Sequence, residues 1–264
     1  MSHQSPFFSN LFVKTAALVT RRHWARWEAL TAKSRETQNQ LLLDILHRNR
    51  GTRFGRDHRF DGIRSLNDYR SHVEIGDYER LRPYVERAKH GEPNALTKEP
   101  VLMFTMTSGS TGEPKLIPVT TLENHRKLTR LWYYRAYLDY PGFLSGKLLG
   151  VVSPAIEGRT PAGIPFGAAS GLIYQSTPRW IQNAYVVPYA VSEIKDFDAK
   201  YYLIMRLALE HEISFFGTPN PSTILRLIET TDRYKNEIVR DIRGGKPAQV
   251  HCAVPATCNS RRSS

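Results

Sequence analysis

The chain has 264 residues, 41% hydrophobic and 23% charged, with a formal net charge of +12 and two cysteines. That length holds one large domain or two small ones, and the composition is that of a folded core, which excludes a disordered chain. No apolar run reaches the roughly 18 residues of a membrane span. The positive excess sits at the ends: residues 1–50 carry 8 Lys/Arg against 3 Asp/Glu and residues 240–264 carry 5 against 1, so the body is nearly balanced and no nucleic-acid partner is expected.

In chain order, Leu11 to Val19 contains Lys14 and precedes its cluster of positive charges, so it reads as an amphipathic surface helix rather than a signal peptide. Residues 10–50 as a whole read as helical. Trp24, Trp27 and Leu30 recur at three, Leu41, Leu42, Ile45 and Leu46 form a stripe, and Gly51 is the stop. Thr52 to Asp61 is polar, aromatic and Gly-containing, a loop. Short helices are expected at Leu66–Tyr69 and Tyr78–Lys89; Asp77 would cap the second, with Pro83 moving its start toward Leu81. Gly91-Glu92-Pro93-Asn94 is a turn.

Val101 to Met106 reads as a buried strand, and Leu116-Ile117-Pro118 resumes an extended path. Thr121 to Tyr140 is a long helix ended by Pro141-Gly142. Gly146 to Ser153 is a second buried strand, Tyr185 to Pro188 a short extended piece, and Asp198 to Ile213 a helix. Ile213 to Thr218 is a third strand, after which Asn220 or Ser222 opens a helix toward Thr230. Strands alternating with helices give an α/β fold, a sheet flanked by helices. After about Gly244 the periodicity ends. Residues 244–264 hold both Cys252 and Cys258, whose spacing is neither a zinc site nor a disulfide framework, and they read as a disordered or frame-shifted tail. With nothing pointing to secretion, the cytoplasm is the default compartment.

The stretch Val101 to Thr120 (VLMFTMTSGSTGEPKLIPVT) raises the functional question. Glycines let consecutive N–H groups converge on an anion, hydroxyls add donors, and a lysine adds a mobile charge. Gly109 and Gly112, the hydroxyls of Thr105, Thr107, Ser108, Ser110 and Thr111, and Lys115 meet those needs. Neither the G-x-x-x-x-G-K-[ST] loop nor the G-x-G-x-x-G fingerprint is present. On residue types alone, a solvated Ser/Gly turn and a phosphate loop are equally good readings, and Lys115 is either the loop's phosphate-binding lysine or a surface lysine beyond it. Arg126, Arg130, Arg135 and His125 read best as solvated helix surface. The Gly-rich 161–171 stretch is either a pocket wall or close packing.

The nine residues T-S-G-S-T-G-E-P-K, Thr107 to Lys115, resemble the first signature of the adenylate-forming superfamily. Leu46-x-x-Asn49, Thr52-x-Phe54-Gly55, Tyr69-Arg70, Asp77-Tyr78-Glu79 with Pro83-Tyr84, Gly91-Glu92-Pro93-Asn94-x-Leu96-Thr97 and Phe104 resemble the auxin-responsive acyl-acid amido synthetase family, especially its bacterial members. Pro188-Tyr189, Lys200-Tyr201-Tyr202, Met205-Arg206 and Asn220-Pro221-Ser222 are similar as well, so the likeness covers about residues 38–243.

The resemblance implies the N-terminal part of an adenylate-forming large domain, a mixed sheet flanked by helices and incomplete, over residues 38–243, with a helical segment at 1–37 before it. It implies ATP and Mg²⁺ as cofactors, a carboxylic acid and an amine or amino acid as substrates, and amide formation through an acyl-adenylate. Thr107, Ser108, Gly109, Ser110, Thr111 and Gly112 would bind the nucleotide, and Lys115 would act in catalysis. No adenine-binding aromatic followed by Thr/Ser-Glu, no later aspartate motif and no closing C-terminal domain is found. The chain is therefore expected to be a truncated member with little or no turnover alone, and an exposed sheet edge would invite a partner or self-association. An acyl-CoA ligase fragment and a non-catalytic nucleotide-binding remnant are the alternatives.

Overall fold

The computed structural model describes residues 10–107 and 114–245. In chain order its regular elements are α1 (Asn10–Ala32), α2 (Ser34–Asn49), α3 (Arg53–Asp57), α4 (Leu66–His72), α5 (Tyr78–Lys89), β1 (Met103–Met106), β2 (Leu116–Val119), α6 (Glu123–Asp139), β3 (Lys147–Gly150), β4 (Gly158–Arg159), β5 (Pro165–Gly167), α7 (Ala169–Ser176), α8 (Arg179–Gln182), α9 (Phe197–Ala208), β6 (Ile213–Gly217), α10 (Ser222–Arg233) and α11 (Lys235–Gly244). Short 3-10 turns lie at Phe60–Gly62, Pro141–Leu144 and Tyr189–Glu193. Among the described residues no helix is long and apolar enough to cross a membrane.

Several helices start where a side chain can take up an orphan N–H. Ser65 accepts from Asp68 N at the start of α4, Asp77 from Glu79 N at α5, and Asp196 from Ala199 N at α9. The expected loop at Thr52–Asp61 is in fact helical. Thr52, 1% exposed, accepts from Gly55 N at 2.9 Å and donates to Asn49 O at 2.7 Å, and Gly55 passes so close to Asn49 O that a Cβ would sit 2.2 Å from it. A capped turn beside α2 thus replaces the loop. Helix α5 begins at Tyr78 despite Pro83, because the Asp77 cap fixes its start. Helix α9 stops at Ala208, five residues short of the expected end, and the polar Glu210-His211-Glu212 turn leads into β6.

The described residues fall into two compact units. One, built from 19–131 and 155–169, contains a four-stranded mixed sheet of order β2-β1-β5-β4. β1 pairs antiparallel with β2, Met103 opposite Val119, and parallel with β5, Phe104 opposite Phe166. Its core is Phe104, fully buried, with Val85, Ala88 and Ala95; a satellite cluster gathers Leu46, Phe60 and Ile63 under α2. The Gly-rich stretch expected at 161–171 supplies strand β5, and a Cβ on Gly167 would meet Ala155 O at 2.3 Å. Close packing, not a loop wall, explains that glycine.

The other unit holds the described residues of 1–18, 132–154 and 170–264. Here β3 and β6 form a parallel pair, Leu149 opposite Phe216, and Leu148 bridges to Tyr185. Leu149, Val151, Val187, Val191, Ile204, Ala208 and Leu227 make the core with α9 and α10. The α/β class and the mixed sheet expected from sequence are both present. Helix α11 ends at Gly245 in the left-handed conformation, φ 63°, so the glycine pair where the periodicity fades is a helix cap. Residues 246–264, with Cys252 and Cys258, lie outside the described residues.

Candidate functional site

The β1–β2 hairpin carries the candidate site. Met103 and Phe104, consecutive in β1, are both buried, and Thr105, Met106 and Thr107 toward the strand's end are half-buried. The register runs to Met106 opposite Leu116 and continues one step further, with Thr107 N donating to Lys115 O at 3.0 Å. The signature segment is thus held at its base by two paired strands. Ser108, Gly109, Ser110, Thr111 and Gly112 lie outside the described residues. Thr107 and Lys115, the two ends of the segment, are brought together.

The pairing assigns duties to groups that residue type alone treats as equivalent. The Thr107 N–H is committed to Lys115 O, which leaves the Thr107 hydroxyl as that residue's donor toward a ligand. The Thr105 hydroxyl makes a long 3.4 Å contact across the hairpin to Ile117 O, so it serves the sheet.

Tyr78, the first residue of α5, is a positioning group that the residue-by-residue reading did not single out. Its hydroxyl donates to Leu116 O at 3.1 Å and accepts from Leu116 N at 3.2 Å, which pins the strand directly after Lys115. The Lys115 ammonium nitrogen lies 5.7 Å from the Tyr78 ring centroid and the Arg82 guanidinium carbon 5.4 Å from it, a cation–π arrangement on both counts. Arg82 in turn grips Glu79 with two bonds of 2.6 and 2.8 Å. That hydrogen bond, with the charges of Arg82 and Lys115 beside it, holds the Glu79 carboxyl below its ordinary range. Glu79 is thus occupied by Arg82, and Lys115, half-buried, has no carboxylate within 4.0 Å among the described residues. A lysine steered by an aromatic ring, with no direct ion pair among the described residues, suits an incoming anion.

The remaining candidates separate. Arg126, Arg130 and Arg135 are exposed on α6, and Arg135 pairs with Asp139 at 2.6 Å, as a solvated helix face requires. His125 differs from the surface reading: it is half-buried, and its Nδ1 is enclosed with no hydrogen-bond partner among the described residues. Its sequence context, a helix's first turn, gave no sign of that enclosure. Asn220 accepts from Ser222 N and Ser222 Oγ at 3.0 and 2.9 Å, a turn that launches α10.

A family model described as the GH3 family N-terminal domain matches residues 24–259. The chain belongs to this family. Among its relatives, the probable indole-3-acetic acid-amido synthetase GH3.2 of Oryza sativa subsp. japonica is 30% identical over 229 residues, covering 83% of this chain and 37% of that protein. The indole-3-acetic acid-amido synthetase GH3.2 of Arabidopsis thaliana is 27% identical over 256 residues, 93% of this chain and 47% of its own length. Among solved structures, the GH3.15 acyl acid amido synthetase superposes with a TM-score of 0.74 at 25% identity, over 86% of this chain and 41% of that one. The AtGH3.15 acyl acid amido synthetase in complex with 2,4-DB gives 0.70 at 23% identity, a likeness of fold. This GH3 chain therefore spans less than half the length of the relatives it matches.

Proposed function

We propose that this chain supplies the triphosphate-gripping hairpin of an ATP-dependent acyl-acid amido synthetase. The observation that carries the reading is the closed base of the β1–β2 hairpin, with Lys115 held over Tyr78 and in no ion pair among the described residues. ATP supplies the activated phosphorus to which a carboxylate becomes joined as pyrophosphate leaves, so that an amine then displaces AMP to give the amide. The chain's own part is electrostatic. Lys115 offers a charge where negative charge shifts among phosphate oxygens, and Thr107, Ser108, Gly109, Ser110, Thr111 and Gly112 offer hydroxyl and N–H donors around it. Tyr78 keeps β2, and so Lys115, in place.

The assignments of these seven residues, the carboxylic acid and amine substrates, the cytoplasmic setting and the division of the chain at residues 37 and 243 all belong to this proposal. So does magnesium. Among the described residues no group of three His, Cys, Asp or Glu side chains is placed to hold a metal, so in this reading Mg²⁺ is carried chiefly by the phosphates. The names of the relatives support an amine as acyl acceptor over coenzyme A. Because the chain spans under half of those relatives, turnover is proposed to require the rest of the family fold.

The test is a titration of ATP against the chain and its Lys115→Ala variant, read by thermal shift and calorimetry. Loss of one charged contact of this kind costs roughly 1.5–3 kcal/mol, so affinity should fall about 10- to 100-fold while the melting temperature without ligand stays the same. Equal affinity in both proteins removes Lys115 from the site, and no ATP binding by the wild-type chain overturns the nucleotide reading. Pyrophosphate release with a panel of carboxylic acids and amino acids should stay at background for this chain alone.

A further inference from the structure

A cleft of about 500 Å³ opens above the satellite cluster under α2, within one compact unit. It shares no residue with the hairpin. Its floor is apolar: Leu43 from α2, with Phe60 and Ile63, which are 6% and 4% exposed. Its rim is polar, made by His47, Arg50 and Arg64 with one opposing carboxylate, Asp61. An apolar floor with a few charged groups at the mouth is the usual make-up of a small-molecule site, and the volume is in the range such sites have.

Among the described residues of this unit, some arginines are ion-paired and others, the two at the rim among them, are not. In the same unit Arg53, Arg80, Arg82 and Arg87 each lie within 4.0 Å of a carboxylate, from Asp57, Glu74, Glu79 and Glu92. Arg50 and Arg64 have no such partner among the described residues. They are oriented instead by backbone carbonyls and the His47 ring. Arg64 donates to the carbonyls of Asp61 and Ile63 at 2.6 and 3.0 Å, and Arg50 Nη1 lies 2.6 Å from His47 Nε2. Two guanidiniums fixed in direction but not neutralised can each present a donor fork to an anion.

The wall between them depends on an unfavourable backbone. Arg59 sits in the left-handed region, φ 52°, directly before the 3-10 turn Phe60–Gly62. A side chain other than Gly or Asn adopts that conformation at a cost, and here it turns Phe60 into the floor while Asp61 and Arg64 stay at the rim. Such outliers persist where a particular surface has to be built.

From these observations we infer that the cleft is a second ligand site, separate from the hairpin, for a small amphipathic carboxylate: a single anionic head between Arg50 and Arg64 and an apolar body on Leu43, Phe60 and Ile63. The inference does not depend on nucleotide binding at the hairpin.

The experiment titrates octanoate, below its micellar range, and octan-1-ol against the full chain by calorimetry, then repeats this with Arg50→Gln/Arg64→Gln, with Leu43→Glu and with Lys115→Ala. One octanoate should bind the wild-type chain, with octan-1-ol at least tenfold weaker. The double variant and Leu43→Glu should each lose at least tenfold in octanoate affinity while melting as cooperatively as the wild type, and Lys115→Ala should bind as the wild type does. Full affinity in the double variant overturns the proposal. So does octanoate binding lost in Lys115→Ala, which would place the acid at the hairpin, and so does a wild-type chain that binds neither compound. Because the two arginines are exposed, the double variant is expected to fold; if it does not, Leu43→Glu decides by the same criterion.

Discussion

Tyr78 and Asp241 show how much of this molecule rests on single polar contacts. Tyr78 makes its two hydrogen bonds to one residue, Leu116, across 38 positions of sequence. Tyr78→Phe keeps the ring beside Lys115 and removes both bonds. We expect a loss of about 1–3 kcal/mol, read as a lower urea midpoint, together with faster amide exchange at Leu116 and Lys115; an unchanged exchange rate there would refute the pinning role. Asp241, 6% exposed, accepts from the Tyr202 hydroxyl, and its backbone carbonyl accepts from Arg206 Nη2 at 3.1 Å. Burial first, and then the bond to Asp241, push the Tyr202 phenol well above its ordinary range. Asp241→Ala strands that buried hydroxyl and should destabilise the α9–α11 contact by about 1–3 kcal/mol. Asp241→Asn, which keeps an acceptor, should recover most of it in the same denaturation measurement. None of this pairing is visible in sequence, where Asp241 is one acid among the charges of a terminal helix.

Elements were legible where their signals are local. Asp77 marks a helix start by capping, the turn at Gly91 to Asn94 is confirmed by positive φ at both residues, and the apolar run ending at Met106 is a strand. What sequence did not reveal is long-range or very short. β5 is three residues containing Pro165 and Gly167, and it becomes a strand by pairing with β1, some sixty residues earlier, on one side and with the two-residue β4 on the other. A two-residue strand such as β4 has no period to detect, and α3 needs Thr52 and Gly55 against Asn49, a contact that composition cannot announce. The candidate site divides the same way: the loop and Lys115 are readable from residue types, whereas Tyr78 and the enclosed nitrogen of His125 are products of packing. Gly167 tests the element-level account. With a Cβ placed 2.3 Å from a backbone carbonyl, Gly167→Ala must displace β5 or the chain at Ala155. We expect about 1–3 kcal/mol of destabilisation, with exchange protection lost at Thr105 and Phe166 and retained at Leu148. Protection lost equally in β3 would show that the effect is global and not a matter of β5.

At the scale of the whole molecule, the unit containing β3 and β6 presents surface that its own residues do not cover. Parallel sheets are normally buried on both faces and rarely stop at two strands, yet among the described residues β6 pairs on one side only. Helix α10 repeats the point. Thr223, Leu227 and Thr230 recur at helical spacing and are buried, while Ile224, Leu225 and Ile228 on the adjoining surface are 39%, 63% and 59% exposed. A helix with a second apolar face has a second packing duty, and among the described residues that face stays exposed. In isolation we therefore expect concentration-dependent self-association. Leu225→Glu/Ile228→Glu should raise the monomer fraction in light scattering coupled to size exclusion, with a melting temperature within about 2 °C of the wild type, because exposed substitutions away from buried contacts change stability by less than about 0.5 kcal/mol. A double variant that associates as strongly as the wild type would move the sticky surface away from α10, and the free edge of β6 would be the next place to introduce a charge.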